Sequence, residues 1–190
     1  MKLERVLQFA KTIMEKSVQP GDIAVDATLG NGHDTLFLAN LVGETGKVYG
    51  FDVQEQAILN SKQRLELHML NDRVELIHKG HEHILDTIPS LHHGSVKAAI
   101  FNLGYLPGGD KTIVTKPDTT ISAIEQLLQI LAPEGVIVLV IYHGHPEGAI
   151  ERSELMHFVE NIDQKQARVL LYQFLNQQNY PPFIVAIEKN

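Results

Sequence analysis

The chain reads as an α/β fold: a seven-stranded, mostly parallel sheet with helices on both faces and an antiparallel C-terminal hairpin. Three observations predict it. Five short apolar runs alternate with helical stretches at spacings of roughly 20–30 residues, as in a parallel sheet with right-handed crossovers. Those runs are continuous rather than alternating, as strands buried on both faces are. The last two runs have no helix between them, so they should close as a hairpin on the sheet edge.

Leu3, Val6, Leu7, Ala10, Ile13 and Met14 recur at helical spacing and predict an amphipathic helix at about 3–16. Pro20-Gly21 turns the chain into a first strand, Ile23–Ala27, followed by Gly30-Asn31-Gly32 and a helix over His33–Leu41. Lys47–Phe51 is a second strand ending in Asp52, and Gln54–Leu70 a long helix. Val74–His78 is a third strand, Gly80–Leu91 a helix, and Val96–Phe101 a fourth strand. A glycine- and proline-containing loop, Asn102–Pro117, precedes a helix capped by Asp118-Thr119-Thr120 and running to Leu131. Pro133–Gly135 turns into the most hydrophobic strand, Val136–Ile141. A loop at 143–148 and a helix over Ala149–Asn161 follow. Ala167–Leu175 and Phe183–Glu188 are the final strands.

One domain over 1–190 is expected, because the length suits a single core and no repeat, low-complexity tract or linker interrupts it. The start, Met1–Lys16, mixes charge with apolar residues and is no signal peptide. The longest apolar run, Val136–Ile141, is too short to span a bilayer, so a cytoplasmic protein without membrane contact is expected. The chain has no cysteine, which excludes a disulfide framework, a thiol nucleophile and thiolate-held zinc or iron–sulfur clusters. Acidic residues outnumber basic ones by 23 to 16, for a net charge of -7. That balance opposes a generic nucleic-acid coat, and basic contacts would have to be local. Residues 1–20 carry +2 and residues 21–60 carry -5, so the acidity gathers around the first two strands.

The stretch from Asp26 through Thr28, Gly30, Asn31 and Gly32 to Asp34 follows the first strand directly. Glycines there let the backbone turn tightly and approach a ligand. Asp52 ends the second strand 20 positions after Gly32, where a carboxylate can accept from both hydroxyls of a ribose. An adenosine-containing ligand follows. A dinucleotide fingerprint would need glycine where Thr35 stands, no phosphate-loop motif occurs, and Asp26 would repel a pyrophosphate. S-adenosylmethionine, cationic and free of phosphate, suits the acidic segment. The plainer alternative is that Asp26 caps local backbone and Asp52 is solvated.

Asn102-Leu103-Gly104-Tyr105 leaves the fourth strand where a substrate would meet that ligand. The Asn102 amide carbonyl can accept from a substrate amine, and Tyr105 can stack on a base. A structural turn with a buried tyrosine is the competing reading. His81 and His83, with Glu82, follow the third strand, and His143 and His145 follow the fifth. His143 is a candidate for proton transfer near neutral pH, whereas His81 and Glu82 can line an adenine pocket. Paired histidines without a spaced carboxylate are a poor zinc signal, so no metal is expected. The segment from Tyr172 and Phe174 to Asn179 and Tyr180 is polar and aromatic, suited to RNA, to a partner chain or to an ordinary edge strand. No nucleophile elbow occurs, which disfavours hydrolase chemistry.

Taken together, DATLGNGHDT, YGFDVQ, GHEH, FNLGYLPGGDK and YHGHPEG resemble a small bacterial family of class I methyltransferases. That family was first described as rRNA methylases, and its characterised members methylate tRNA 5-aminomethyl-2-thiouridine. The resemblance covers nearly the whole chain. It implies a Rossmann-like class I methyltransferase fold and methyl transfer from S-adenosylmethionine to the aminomethyl nitrogen of wobble uridine 34, within the tRNA anticodon stem-loop. It also implies a homodimer. Cofactor contacts would fall on Asn31, Asp34, Asp52, Gln54, His81 and Glu82. Asn102 matches the position by which amino methyltransferases hold the target nitrogen, although the usual pattern has two prolines where this chain has Leu103 and Gly104.

Direct transfer by positioning is the expected mechanism, since a cysteine nucleophile is excluded. Lys2 and Arg5 on the first helix, with Lys111, Lys116 and His145 beyond the substrate loops, are the candidate RNA contacts. Transfer to rRNA or to a small-molecule amine is the alternative substrate reading. A non-catalytic nucleotide-binding protein is the alternative of a different class.

Overall fold

The computed structural model of the chain describes residues 2–105, 108, 113–144 and 146–190, with the side chains of Pro146 and Glu147 excepted. In chain order the elements are α1 (Val6–Ser17), β1 (Ile23–Asp26), α2 (His33–Leu41), β2 (Lys47–Phe51), α3 (Glu55–Leu67), β3 (Val74–Ile77), α4 (Ile84–Thr87), β4 (Val96–Leu103), α5 (Pro117–Ile130), β5 (Leu131–Ile141), α6 (Pro146–Glu160), β6 (Ala167–Tyr172) and β7 (Phe183–Lys189). The seven strands form one sheet in the order β3-β2-β1-β4-β5-β7-β6. β1 to β5 run parallel, and β7 pairs antiparallel with both β5 and β6. This is the Rossmann-like class I methyltransferase fold expected from the sequence. The strand order reverses direction between β1 and β4, and crevices at such points face ligands at the carboxyl ends of the strands.

Apolar strands buried on both faces require a helical layer on each side. On one face Ala24, Val48, Ile100 and Val138 pack against Val6, Ala10 and Met14 of α1 and Leu38 of α2. On the other, Val25, Phe51, Phe101 and Leu139 pack against Ile124 and Leu127 of α5 and Leu155 of α6. Among the described residues no helix is long and apolar enough to cross a membrane.

Several boundaries differ from the sequence reading, each for a local reason. α1 begins at Val6 rather than at residue 3, because Arg5 is extended and the Glu4 carbonyl accepts from Tyr172 Oη at 2.8 Å. α3 ends at Leu67 rather than Leu70. Met69 turns left-handed at φ 55°, and the Leu70 N–H closes back on the Leu65 carbonyl at 3.0 Å. The helix expected over 80–91 is broken into a 3₁₀ turn (His81–His83), the one-turn α4 and a second 3₁₀ turn (Ser90–His92). Pro89 forces Ile88 into extended backbone at ψ 126°.

The turn expected at 133–135 is an interruption within β5: pairing jumps from Val96–Leu131 to Ala98–Val136, with Glu134 at φ 61°. α5 starts on Pro117 and α6 on Pro146, a first-turn position that needs no N–H, rather than at Asp118 and Ala149. β6 ends at Tyr172 rather than Leu175. β4 continues through Asn102 to Leu103, so Asn102 projects from a strand and not from a loop.

Candidate active site

A cavity of about 920 Å³ opens along the carboxyl edge of the sheet. Thr28, Gly30, Asn31, Asp34, Asp52 and Gln54 line it, as do His81, Glu82, Asn102, Tyr105, Lys116 and His143. Twelve residues singled out in the sequence thus converge from five strand ends. Gly32 shapes the loop from behind rather than lining the cavity. It sits at φ 74°, and a Cβ there would stand 2.6 Å from Ser61 Oγ. Lys2 and Arg5 do not line the cavity, and Arg5 precedes α1. Lys111 and His145 lie outside the described residues.

α3 clamps the glycine loop with polar side chains that the sequence reading missed. Asn60 Nδ2 donates to Asn31 Oδ1 at 2.9 Å, Ser61 Oγ to the Gly30 carbonyl at 3.1 Å and Arg64 Nε to the Asn31 carbonyl at 2.7 Å. Their spacing along one helix was the available signal, but a polar helix face looks the same when it is only solvated. Asp52 secures the loop from the β2 side. Its two oxygens accept from the Gly30 and Gln54 N–H groups, each at 2.9 Å. A carboxylate has about four lone-pair sites, so further acceptor capacity faces the cavity.

Asp26 and Asp52 end neighbouring strands but differ in depth. Asp26 is 1% exposed and does not line the cavity. Its oxygens accept from Thr35 Oγ1 at 2.5 Å and from the Thr28 N–H at 3.2 Å. Burial, and then the nearby Asp34 carboxylate, push its pKa up to about 7.

Asn102 is fixed from two sides. Its backbone N–H donates to Thr28 Oγ1 at 2.7 Å, tying β4 to the end of β1. Its Nδ2 donates to Asp34 Oδ2, also at 2.7 Å. A carboxylate oxygen accepts, so the amide nitrogen must face Asp34, and the amide carbonyl remains as an acceptor at the cavity. Leu103 and Gly104 stand where prolines are usual in amino methyltransferases. The Leu103 carbonyl accepts from the Tyr142 N–H at 3.3 Å, which keeps the backbone in the ladder.

The two ends of the loop between β4 and α5 are tied by a buried acid absent from the sequence reading. Glu151, 2% exposed, accepts from Thr115 Oγ1 at 2.6 Å and Thr120 Oγ1 at 3.0 Å. Thr115 Oγ1 in turn accepts from the Gly104 N–H at 2.9 Å. Tyr105 bridges to Val114 across the same loop.

His81 Nδ1 lies 3.0 Å from the Ala27 carbonyl, so that nitrogen carries the proton. Burial lowers the His81 pKa and keeps the ring neutral. Its Nε2 is buried and has no hydrogen-bond partner among the described residues. His143 rests between Tyr180 and Phe183, and burial, followed by the nearby Arg152, lowers its pKa. No group of three or more histidine, aspartate or glutamate side chains that could hold a metal occurs among the described residues.

The family model described as "Putative rRNA methylase" matches residues 48–188. An Arabidopsis thaliana protein named tRNA (mnm(5)s(2)U34)-methyltransferase, chloroplastic, is 33% identical over 194 residues, covering 98% of this chain and 70% of its own length. Among solved structures, a Clostridium thermocellum protein described as an rRNA-methylase superposes with a TM-score of 0.96 at 43% identity over all of both chains. A Streptococcus mutans protein described as a methyltransferase, solved in complex with SAH, superposes with a TM-score of 0.89 at 39% identity over 99% of each chain.

Proposed function

The chain belongs to the "Putative rRNA methylase" family of class I methyltransferases, and we propose that it methylates the aminomethyl nitrogen of 5-aminomethyl-2-thiouridine at tRNA position 34, using S-adenosylmethionine. The observation that carries this reading is the Asn102 amide, pinned by Asp34 so that an acceptor faces the cavity. The naming of the Arabidopsis relative, matched over 98% of this chain, supports the choice of substrate.

The donor set suits this cofactor. Asp52 keeps lone pairs for two ribose hydroxyls, and the buried His81 Nε2, without a hydrogen-bond partner among the described residues, is an acceptor on a residue that lines the cavity. Asp34 and Asp52 line the cavity and Asp26 lies beneath it, an arrangement that opposes a pyrophosphate and favours a cation. Asp52, Gln54, His81 and Glu82 would hold the adenosine half, with Thr28, Gly30, Asn31 and Asp34 around the remainder. When bound, S-adenosylmethionine supplies an electrophilic methyl group.

The chain's own task is positioning. An amine attacks only when neutral, with its lone pair aimed at the methyl carbon. The Asn102 carbonyl accepts one amine N–H and so sets that direction. Tyr105 would contact the base that carries the amine. The secondary ammonium formed by transfer must lose a proton. His143, whose pKa is lowered by its surroundings, would accept it, directly or through a water. Lys116, which lines the cavity before α5, would meet the RNA backbone, and Lys2 and Arg5, ahead of α1, would add to that contact. A homodimer would enlarge that footprint.

Transfer of a labelled methyl group from S-adenosylmethionine to tRNA of a strain lacking wobble methylation tests the proposal. Label in the tRNA is expected. Label that enters rRNA or a free amine, and never tRNA, overturns the assignment of substrate.

A further inference from the structure

We infer that Tyr180 is a stacking platform for a nucleobase drawn out of its helix or loop, so that the cavity selects a planar substrate and not merely an amine. The inference rests on the function proposed above and names what its site recognises beyond the amine. Tyr180 lies in the connection between β6 and β7, far from Asn102 in sequence, yet it lines the same cavity. It is 73% exposed, so its ring is not spent on the core.

The backbone goes to unusual lengths to place that ring. Asn179 and Tyr180 are consecutive non-glycine residues in left-handed conformation, at φ 66° and 49°. A bulky aromatic is a poor choice there, and the following Pro181 restricts the residue before it still further. Glycine would relieve the strain and still connect the strands. Pro181-Pro182 then lead stiffly into β7 at Phe183.

The ring's nearest neighbours are an imidazole and a residue without a side chain. His143 meets it edge-on, with ring centroids 6.0 Å apart at 84°. Gly144 offers no side chain towards it: a Cβ there would lie 3.8 Å from the Tyr180 Cβ. Tyr105 and Tyr142 line the same cavity from two other segments. Three tyrosines brought from three loops suit the face of a pyrimidine better than a flexible aliphatic amine, because every base offers a π-face to stack.

Steady-state kinetics with tRNA lacking wobble methylation test this. Tyr180→Ala and Tyr180→Leu should raise KM for tRNA about tenfold or more, the scale of one lost base–aromatic stack, with SAH affinity unchanged. Tyr180→Phe should stay within about twofold of wild type, since stacking needs the ring and not the hydroxyl. Tyr180→Gly should melt no lower than wild type while showing the same loss of tRNA affinity. A wild-type KM in Tyr180→Ala overturns the inference and leaves the proposed function standing. So does an equal loss in Tyr180→Phe, or a joint loss of SAH binding in the Ala and Leu variants. Failure of the wild-type protein to methylate any tRNA overturns the proposed function and this inference with it.

Discussion

Asn102 Nδ2 donates to Asp34 Oδ2 at 2.7 Å, and that bond decides which end of the amide meets the cavity. An asparagine alone could present either its nitrogen or its oxygen. Opposite a carboxylate it presents the oxygen. Asn102→Ala should lower kcat about a hundredfold or more, the scale of a lost positioning contact. SAH affinity should stay near wild type by calorimetry. Asp34→Asn frees the amide to flip, so its kcat should also fall. Full turnover in Asn102→Ala would remove Asn102 from the target site.

Asp52 supports the glycine loop and, in the proposed function, would also offer acceptors to the ligand. Asp52→Ala should weaken SAH binding by about 1.5–3 kcal/mol for each charge-assisted bond lost. Asp52→Asn, which can still accept from one backbone N–H, should lose less. Titration calorimetry reads both, and unchanged affinity in Asp52→Ala would exclude the ribose assignment.

Burial of Asp26 should make stability, and binding of a cationic ligand, depend on pH. Its folded pKa of about 7 lies above the ordinary value of 3.8. Between these values the unfolded chain has lost the proton that the folded chain keeps. The stability contribution of this group therefore falls as pH rises through that window and levels off above it. Asp26→Asn should flatten the fall in denaturant-melting experiments. A cation in the cavity favours the ionised form, so S-adenosylmethionine binding just below pH 7 should release a proton. Calorimetry in two buffers of different ionisation enthalpy detects it, and SAH, without the sulfonium, should release less.

Glu151 ties the end of the loop before α5 to α5 and α6 through two threonine hydroxyls. Glu151→Ala should cost about 1–3 kcal/mol for the buried Thr120 hydroxyl left unsatisfied, and less for the half-buried Thr115. Because Thr115 also holds Gly104, KM for tRNA should rise as well, while SAH affinity changes little. Denaturant melts and kinetics on the same variant check both.

The sheet was legible because its strands are continuous apolar runs and the connections between them suit crossover helices. Asp52 was legible from its distance after Gly32. Asp26 was not, since the same residue type ends both strands and only depth distinguishes them. Asp26 turns inward to Thr35 of α2, whereas Asp52 stays at the rim. The broken helix at 80–91 follows from Pro89, which was in plain view. Asn60, Ser61, Arg64 and Glu151 were invisible, because a polar helix face gives no sign of what it holds. Tyr180 fell within a segment marked as aromatic, but only the folded hairpin brings it to the cavity.

Nucleoside mass analysis gives the sharpest test of the proposed reaction. tRNA from a strain lacking wobble methylation is incubated with the protein and S-adenosylmethionine, then digested. 5-aminomethyl-2-thiouridine should be replaced by its derivative one methyl group heavier, methylated on the side-chain nitrogen. An unchanged wobble nucleoside, or a methyl group found on another nucleoside, would contradict it.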